Sequence, residues 1–209
     1  MSGPVRAREW DLAAYETLAE RWAELVREDG DPDVLVNCAG FMELRDFRST
    51  PWDLGERLLR VDLIAPMRLM HLAAPAMAAR RAGCVVNVSS MAGRVPMRGC
   101  AFYGAAKAGL ALASENAALD LAPHGVHVVT VFPGPVRTAL EQRARSQVRD
   151  TRGARLIPTG DPVVLARRIV AACLRGRRWL VYPAIYVLGD RYNRLGAAVT
   201  SAFSPAPLE

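Results

Sequence analysis

The sequence lacks any run of about 18 uninterrupted apolar residues, so no helix of it is expected to span a membrane. Its first stretch, "MSGPVRAREWDLAAYE", is charged from Arg6 onward and has no apolar core segment, which excludes a secretory signal. A soluble, cytoplasmic chain is the expectation. Cysteine is sparse: Cys38, Cys84, Cys100 and Cys173 are scattered without a C-x-x-C pair, as expected of reduced, buried thiols rather than a disulfide framework. No metal is expected either, because His124 and His127 merely flank the start of an apolar run, "VHVVTVFPG". Lysine is nearly absent. The net charge of +6 comes almost wholly from arginines dispersed through "RRAG", "EQRARSQVRDTRGAR" and "RGRRW", with no aromatic interleaving. Solvated helix faces, or attraction of an anionic phosphate-bearing ligand, account for such a charge more simply than nucleic acid does. Internal repeats and low-complexity tracts are also lacking.

What is present suits one domain, residues 1–209, with 51% hydrophobic residues to build a core. Short apolar runs alternate with longer amphipathic ones. Residues 4–12 read as a short strand. Residues 13–29 read as a helix stopped by Gly30, with Leu18, Trp22, Leu25 and Val26 at helical spacing. "DVLVNCAG" (33–40), "GCVVNVSS" (83–90) and "VHVVTVFPG" (126–134) read as strands buried on both faces, and "RRWLVYP" (177–183) as a fourth. Long helical patterns cover 51–81, opened by a Ser/Thr cap signal and Pro51, and 101–125. A capped helix covers 161–176 and a last apolar helical stretch 184–202. Residues 135–160 read as a loop or lid. Alternation of this kind predicts an α/β fold with helices on both faces of a parallel sheet, and ligands bind there beyond the strands' carboxyl ends. The "NCAG" turn, Ser89–Ser90 and the "PGP" turn all lie at such ends.

Tyr103 and Lys107 stand four apart on one predicted helix and share a face. An ammonium beside a phenol favours the phenolate, which produces an acid/base able to move an alcohol's proton. Ser90 is placed to hold the substrate oxygen. "NVSSMAG", Tyr-x-x-x-Lys thirteen residues beyond Ser90, "DVLVNCAG" and "PGPVRT", in this order, resemble the short-chain dehydrogenase/reductase family over residues 4 to 183. The resemblance implies a Rossmann-like doubly wound sheet, a small carbonyl or alcohol substrate, a homo-oligomer, and NAD or NADP with a slight lean to NADP; the apolar final segment offers a border for a hydrophobic substrate. It implies that Tyr103 is the acid/base, that Lys107 lowers its pKa and holds the nicotinamide ribose, and that Ser90 polarises the substrate. Asn37, Ala39 and Gly40 would line the adenosine side, Asp11 the adenine, and Pro133, Gly134, Val136 and Thr138 the nicotinamide. Asn37 has an alternative role tying strand ends together, and Asp11 and Thr138 alternative roles as caps.

Two departures accompany the resemblance. Asp62 stands where the family usually has a catalytic asparagine, adding a charge near Lys107. The family's opening Gly-rich turn, whose amides meet the cofactor pyrophosphate at a helix N-terminus, is missing from the sequence, and with it the first two strands. Run 4–12 matches the family's third strand and would have no neighbour. Three outcomes are open: the run slides across to pair with "DVLVNCAG", a second chain fills the gap, or the sequence is an incomplete version of a full-length enzyme. Otherwise "DVLVNCAG" is left as an exposed apolar edge. Three functions follow: an NAD(P)(H)-dependent oxidoreductase, a non-catalytic binding or dimerisation protein, and an enzyme using Ser90 and Tyr103 on an epoxide or halohydrin. Relatives of the third kind carry arginine in place of Lys107, which ranks it last.

Overall fold

A computed structural model describes residues 5–149, 157–187 and 205–208. Four strands, β1 Val34–Asn37, β2 Gly83–Val88, β3 Val126–Pro133 and β4 Trp179–Tyr182, form one parallel sheet in the order β1-β2-β3-β4. Parallel neighbours need crossovers, and helices supply them. α1 (Leu18–Asp29) precedes β1, while α2 (Trp52–Leu59) and α3 (Ala65–Ala79) link β1 to β2. α4 (Ala101–Leu121) links β2 to β3, and α5 (Ala139–Ser146) and α6 (Pro162–Leu174) link β3 to β4.

The alternation of side chains along each strand divides the core in two. Val85, Val126 and Val128 pack beneath α1, α3 and α4 together with Leu18, Trp22, Leu69 and Met77. Cys84, Val86, Val129 and Val131 face the other way, against Leu165, Ile169 and Ala172 of α6. Helices therefore cover both faces, and the expected doubly wound α/β architecture is present. A polar tie crosses the apolar layers: Asn37 donates to the side-chain oxygen of fully buried Asn87 at 2.7 Å, and Asn87 donates to Ser114 Oγ at 2.8 Å. Because every member has a partner, this network fixes the mutual placement of β1, β2 and α4 instead of destabilising it.

Helix ends follow local chemistry. Asp161 caps α6 by accepting from the amides of Val163 (2.9 Å) and Val164 (3.1 Å), with Pro162 in the first turn. Gly125 ends the α4 region at φ +72°, and a Cβ there would lie 2.3 Å from the Arg81 carbonyl oxygen, so no other residue fits without displacement.

The structure corrects four expectations. Residues 5–12 form no strand: Arg8 is drawn to Glu28 (2.8 Å) and Asp29 (2.6 Å) at the end of α1, and Arg6 also pairs with Asp29. Trp10 and Leu12 pack on the core as irregular chain, so the run neither crosses over nor joins the sheet. The helix read over 51–81 is interrupted by a π-helical segment, Arg60–Ile64. Its start lacks the Ser/Thr cap, since the Ser49 and Thr50 hydroxyls both donate to the Asp46 carbonyl. The 135–160 segment is no plain loop: Thr138 caps α5, and Val136 bridges Gly160. Residues 188–202 of the expected last helix lie outside the described residues.

β1 is a sheet edge. Its register pairs Val34 with Cys84 and Val36 with Val86, so both valines share the α6 face, yet each remains 49% exposed. Substitution should separate edge from core. Val36→Lys should alter stability in urea by no more than about 0.5 kcal/mol and lower self-association. Leu110→Ala, at a position 1% exposed, should cost about 2–5 kcal/mol. Equal costs would contradict this layering.

Thiol chemistry gives a second check. Burial pushes both Cys84 and Cys100 up to about 12, with the neighbouring Cys173 adding to the effect on Cys84. Exposed Cys38 should therefore react first with an aromatic disulfide at pH 8, and Cys84 and Cys100 only on unfolding. Since these folded-state values lie above the unfolded ones, their stabilising contribution is complete below the ordinary thiol range. It is lost as pH rises through it towards about 12.

Candidate active site

The carboxyl ends of β1, β2 and β3 lie side by side, with Asn37 in register with Asn87 and Val88 with Val131. Beyond β2 the chain turns at Ser89–Ser90 into a 3-10 turn, Met91–Gly93, which lies against α4. The approach is so close that a Cβ on Gly93 would lie 2.7 Å from both the Lys107 carbonyl carbon and the Ala108 nitrogen. Ser89, which the sequence offered only as the neighbour of Ser90, locks this approach by donating from its buried hydroxyl to the Lys107 carbonyl at 2.7 Å. Ser90 caps the turn, accepting from the Ala92 amide at 3.1 Å.

α4 buries Tyr103, Ala106, Lys107, Leu110, Ala111, Ser114 and Ala118, the 3–4 spacing of a single face. Tyr103 and Lys107 are thereby directed at the strand ends. The Ser90 hydroxyl is close enough to the Tyr103 phenol to act on its ionisation, and the Lys107 ammonium lies 5.7 Å from the Tyr103 ring centre. Burial drives the Tyr103 phenol above its ordinary range, the Ser90 hydroxyl opposes this, and the charge of Asp62 adds to the rise. Lys107 donates to the Val88 carbonyl at 3.1 Å and pairs with Asp62 Oδ1 at 3.0 Å.

Asp62 is fully buried and reaches this position from the π-helical segment. Its Oδ2 accepts from the Phe41 amide at 3.4 Å. Its Oδ1 meets the ammonium as an ion pair without a well-aligned hydrogen bond. Burial raises the Asp62 carboxyl, and the Lys107 charge draws it back down. Gly40 completes the enclosure, for a Cβ there would lie 2.3 Å from Asp62 Oδ1 and 3.4 Å from Lys107 Nζ.

Of the sequence candidates, Ser90, Tyr103, Lys107, Asp62 and Gly40 come together around one point, with exposed Ala39 beside them. Asn37 is half-buried and uses its amide nitrogen on Pro66 (3.2 Å) and Asn87 (2.7 Å), the strand-tying alternative. Thr138 caps α5, accepting from the Glu141 amide at 3.3 Å and donating to Val136 at 3.1 Å. Asp11, exposed and outside any strand, accepts from the Ala13 amide at 2.9 Å in a turn. Pro133 and Gly134 are held to β4, with Gly134 donating to Tyr182 at 2.7 Å, and Val136 is buried at the Gly160 bridge.

The site is covered. Tyr103 is only 6% exposed, in a cluster with Leu44, Leu58, Cys100 and Ala144. α5 is held over it because Glu43 receives both Arg143 and Gln147, while Gln147 accepts from the Leu44 amide at 2.9 Å. Nothing in the 41–44 sequence signalled this latch, since its partners lie about a hundred residues away.

Residues 2–149 match the short chain dehydrogenase family. Trans-4-hydroxycyclohexanecarboxylate dehydrogenase of Sinomonas cyclohexanicum is 35% identical over 130 residues, 62% of this chain and 50% of that protein. Acetoacetyl-CoA reductase of Shinella zoogloeoides is 32% identical over 169 residues, 77% of this chain and 68% of that protein. A short-chain dehydrogenase from Sphingobium yanoikuyae, solved in complex with NADPH, superposes with a TM-score of 0.70 at 28% identity, covering 94% of this chain and 72% of that one. The chain spans about half the length of the first curated relatives it matches. With the matched residues running from before α1 to beyond α5, and the Ser90, Tyr103 and Lys107 groups gathered at the sheet's rim, the chain belongs to the short-chain dehydrogenase/reductase family.

Proposed function

We propose that the protein is an NAD(P)(H)-dependent oxidoreductase interconverting an alcohol and a ketone or aldehyde. The observation that carries the reading is the meeting of the Tyr103 hydroxyl with Ser90, beside the Lys107 ammonium. In the reductive direction the neutral Tyr103 phenol gives its proton to the carbonyl oxygen held by Ser90; in the oxidative direction the Tyr103 phenolate takes the alcohol's proton. A bound nicotinamide dinucleotide supplies or takes the hydride.

The residues present fit its ribose–nicotinamide end. Lys107 donates to Val88 and is ion-paired with Asp62, and the side chain missing from Gly40 leaves the exposed Ala39–Gly40 turn open beside it. Pro133, Gly134, Val136 and Thr138 are assigned to the nicotinamide side, and Asn37, Ala39 and Asp11 to the adenosine side. No Gly-rich turn in the sequence offers amides to a pyrophosphate. Solved relatives are described as complexes with NADPH, NADH and NADP, which supports the cofactor class without choosing within it.

The surroundings of Tyr103 favour an apolar substrate, because Leu44 and Ala144, flanked by Met42 and Val148, cover it. α5 and the 41–44 loop must part for a substrate to reach the phenol. Similarity to an alcohol dehydrogenase from Comamonas testosteroni described as specific for bulky-bulky ketones (TM-score 0.72, 27% identity) agrees with a hydrophobic carbonyl compound. Exposed Leu112 and Leu119, seven apart on α4, support self-association. Free cysteines among the described residues, and the absence there of a helix long and apolar enough to cross a membrane, support a cytoplasmic setting.

A second reading, a binding or dimerisation protein without turnover, is favoured by one observation: the carboxylate of Asp62 sits on Lys107. Two measurements decide between them. Tyr103→Phe should lower turnover of a hydrophobic alcohol by about 100-fold or more while leaving circular dichroism and Tm unchanged; an unchanged rate would overturn the assignment. Titration with NADH and NADPH, followed by the fluorescence of the four tryptophans, should saturate with at least one. Saturation with neither would select the binding protein.

A further inference from the structure

We propose that Asp62 is a positioning residue that ties the Lys107 ammonium into an ion pair at the end of β1 and so withholds its charge from the Tyr103 hydroxyl. The inference rests on the reading of Tyr103 as the proton-transfer group and adds a control on it. Lys107 is the chain's only lysine, so no second ammonium substitutes for it. Its Nζ lies 3.0 Å from Asp62 Oδ1 and 3.1 Å from the Val88 carbonyl oxygen, with the two side chains 6% and 0% exposed. With water kept out, solvent screens neither charge, and each acts mainly on the other.

The carboxylate has nowhere else to go. The π-helical turn inserts Asp62 towards the end of β1, and such turns often mark functional positions. There the Phe41 amide holds one oxygen and Lys107 the other, while Gly40 presses so close that a methyl group would collide at 2.3 Å.

A lone ammonium at this range of a phenol favours the phenolate; paired with a carboxylate it contributes little net charge, and the carboxylate itself opposes ionisation. The groups facing Tyr103 are few. Ser90 approaches from the end of β2, Lys107 from its own helix, Asp62 from the π segment, and the Cys100 thiol from ahead of α4. The 41–44 loop and α5 bring Leu44 and Ala144 into the cluster, with Phe41 and Met42 packed against it, and their charged groups Glu43 and Arg143 pair with each other, as do Glu141 and Arg145. Burial, the largest influence, already favours the neutral phenol, and the Asp62 charge acts in the same direction.

The test reads Tyr103 directly and needs neither cofactor nor turnover. The chain is labelled with [13Cζ]tyrosine and titrated by NMR, with Tyr103→Phe identifying the resonance among five tyrosines. In the wild-type chain Tyr103 should stay un-ionised through the ordinary phenol range. In Asp62→Asn, and in the smaller Asp62→Ser, its midpoint should fall by about one pH unit or more, the size expected when a neighbouring cation loses its counter-charge. Wild-type ionisation at or below the ordinary range would overturn the proposal whether or not the variants fold. So would an unmoved or raised midpoint in either folded variant. Failure of the oxidoreductase reading shows instead as unchanged turnover in Tyr103→Phe or as no nucleotide binding, results this titration does not depend on.

Discussion

A carboxylate and an ammonium enclosed together at the ends of parallel strands are the interaction around which the candidate site is built. Removing one member would leave the other as a buried, uncompensated charge, a cost of about 3–5 kcal/mol in comparable pairs. The local chain is arranged to keep both. The π segment brings Asp62 inward, Gly40 gives it room, and Phe41 and Val88 supply backbone partners. Ser89 then fixes the backbone of α4 at Lys107 itself. The same restraints set Tyr103 one helical turn away, so the acid/base candidate inherits its position from the ion pair.

Around this centre the fold supplies support on one side and cover on the other. β2 and β3 are buried on both faces, and the Asn37–Asn87–Ser114 chain of hydrogen bonds ties the sheet to α4. The rim is closed by α5, held by Glu43, whose side chain is 9% exposed, and by the Leu44 amide on Gln147. A phenol excluded from water is where electrostatic differences weigh most, and its ionisation depends strongly on which charges it sees.

Much of this was legible in the sequence. Continuous apolar runs ending in small residues marked β1, β2 and β3, and the four-residue spacing of Tyr103 and Lys107 placed them on one face. Asp161 and Pro162 announced α6. The rest turned on long-range contacts. The 5–12 run has strand-like composition but no strand beside it, and its arginines found Glu28 and Asp29 instead. Nothing local distinguishes Arg60–Ile64 from ordinary helix; the π turn follows from where Asp62 is satisfied. Thr138 caps α5 and Asn37 ties β1 to β2, tasks the sequence offered as their alternatives without choosing them. Asp62 was visible as a charge out of place, but its closeness to Gly40 was not.

The central claim is that Lys107 is ion-paired and shielded, and the presence of a single lysine makes it measurable without assignment. With [15N]lysine and [13C]aspartate labelling at neutral pH, the account predicts one slowly exchanging NH3+ signal correlated with a single carboxylate carbon, lost in Asp62→Asn. An ammonium exchanging as freely as that of a solvent-exposed lysine, with no carboxylate correlation, would contradict it.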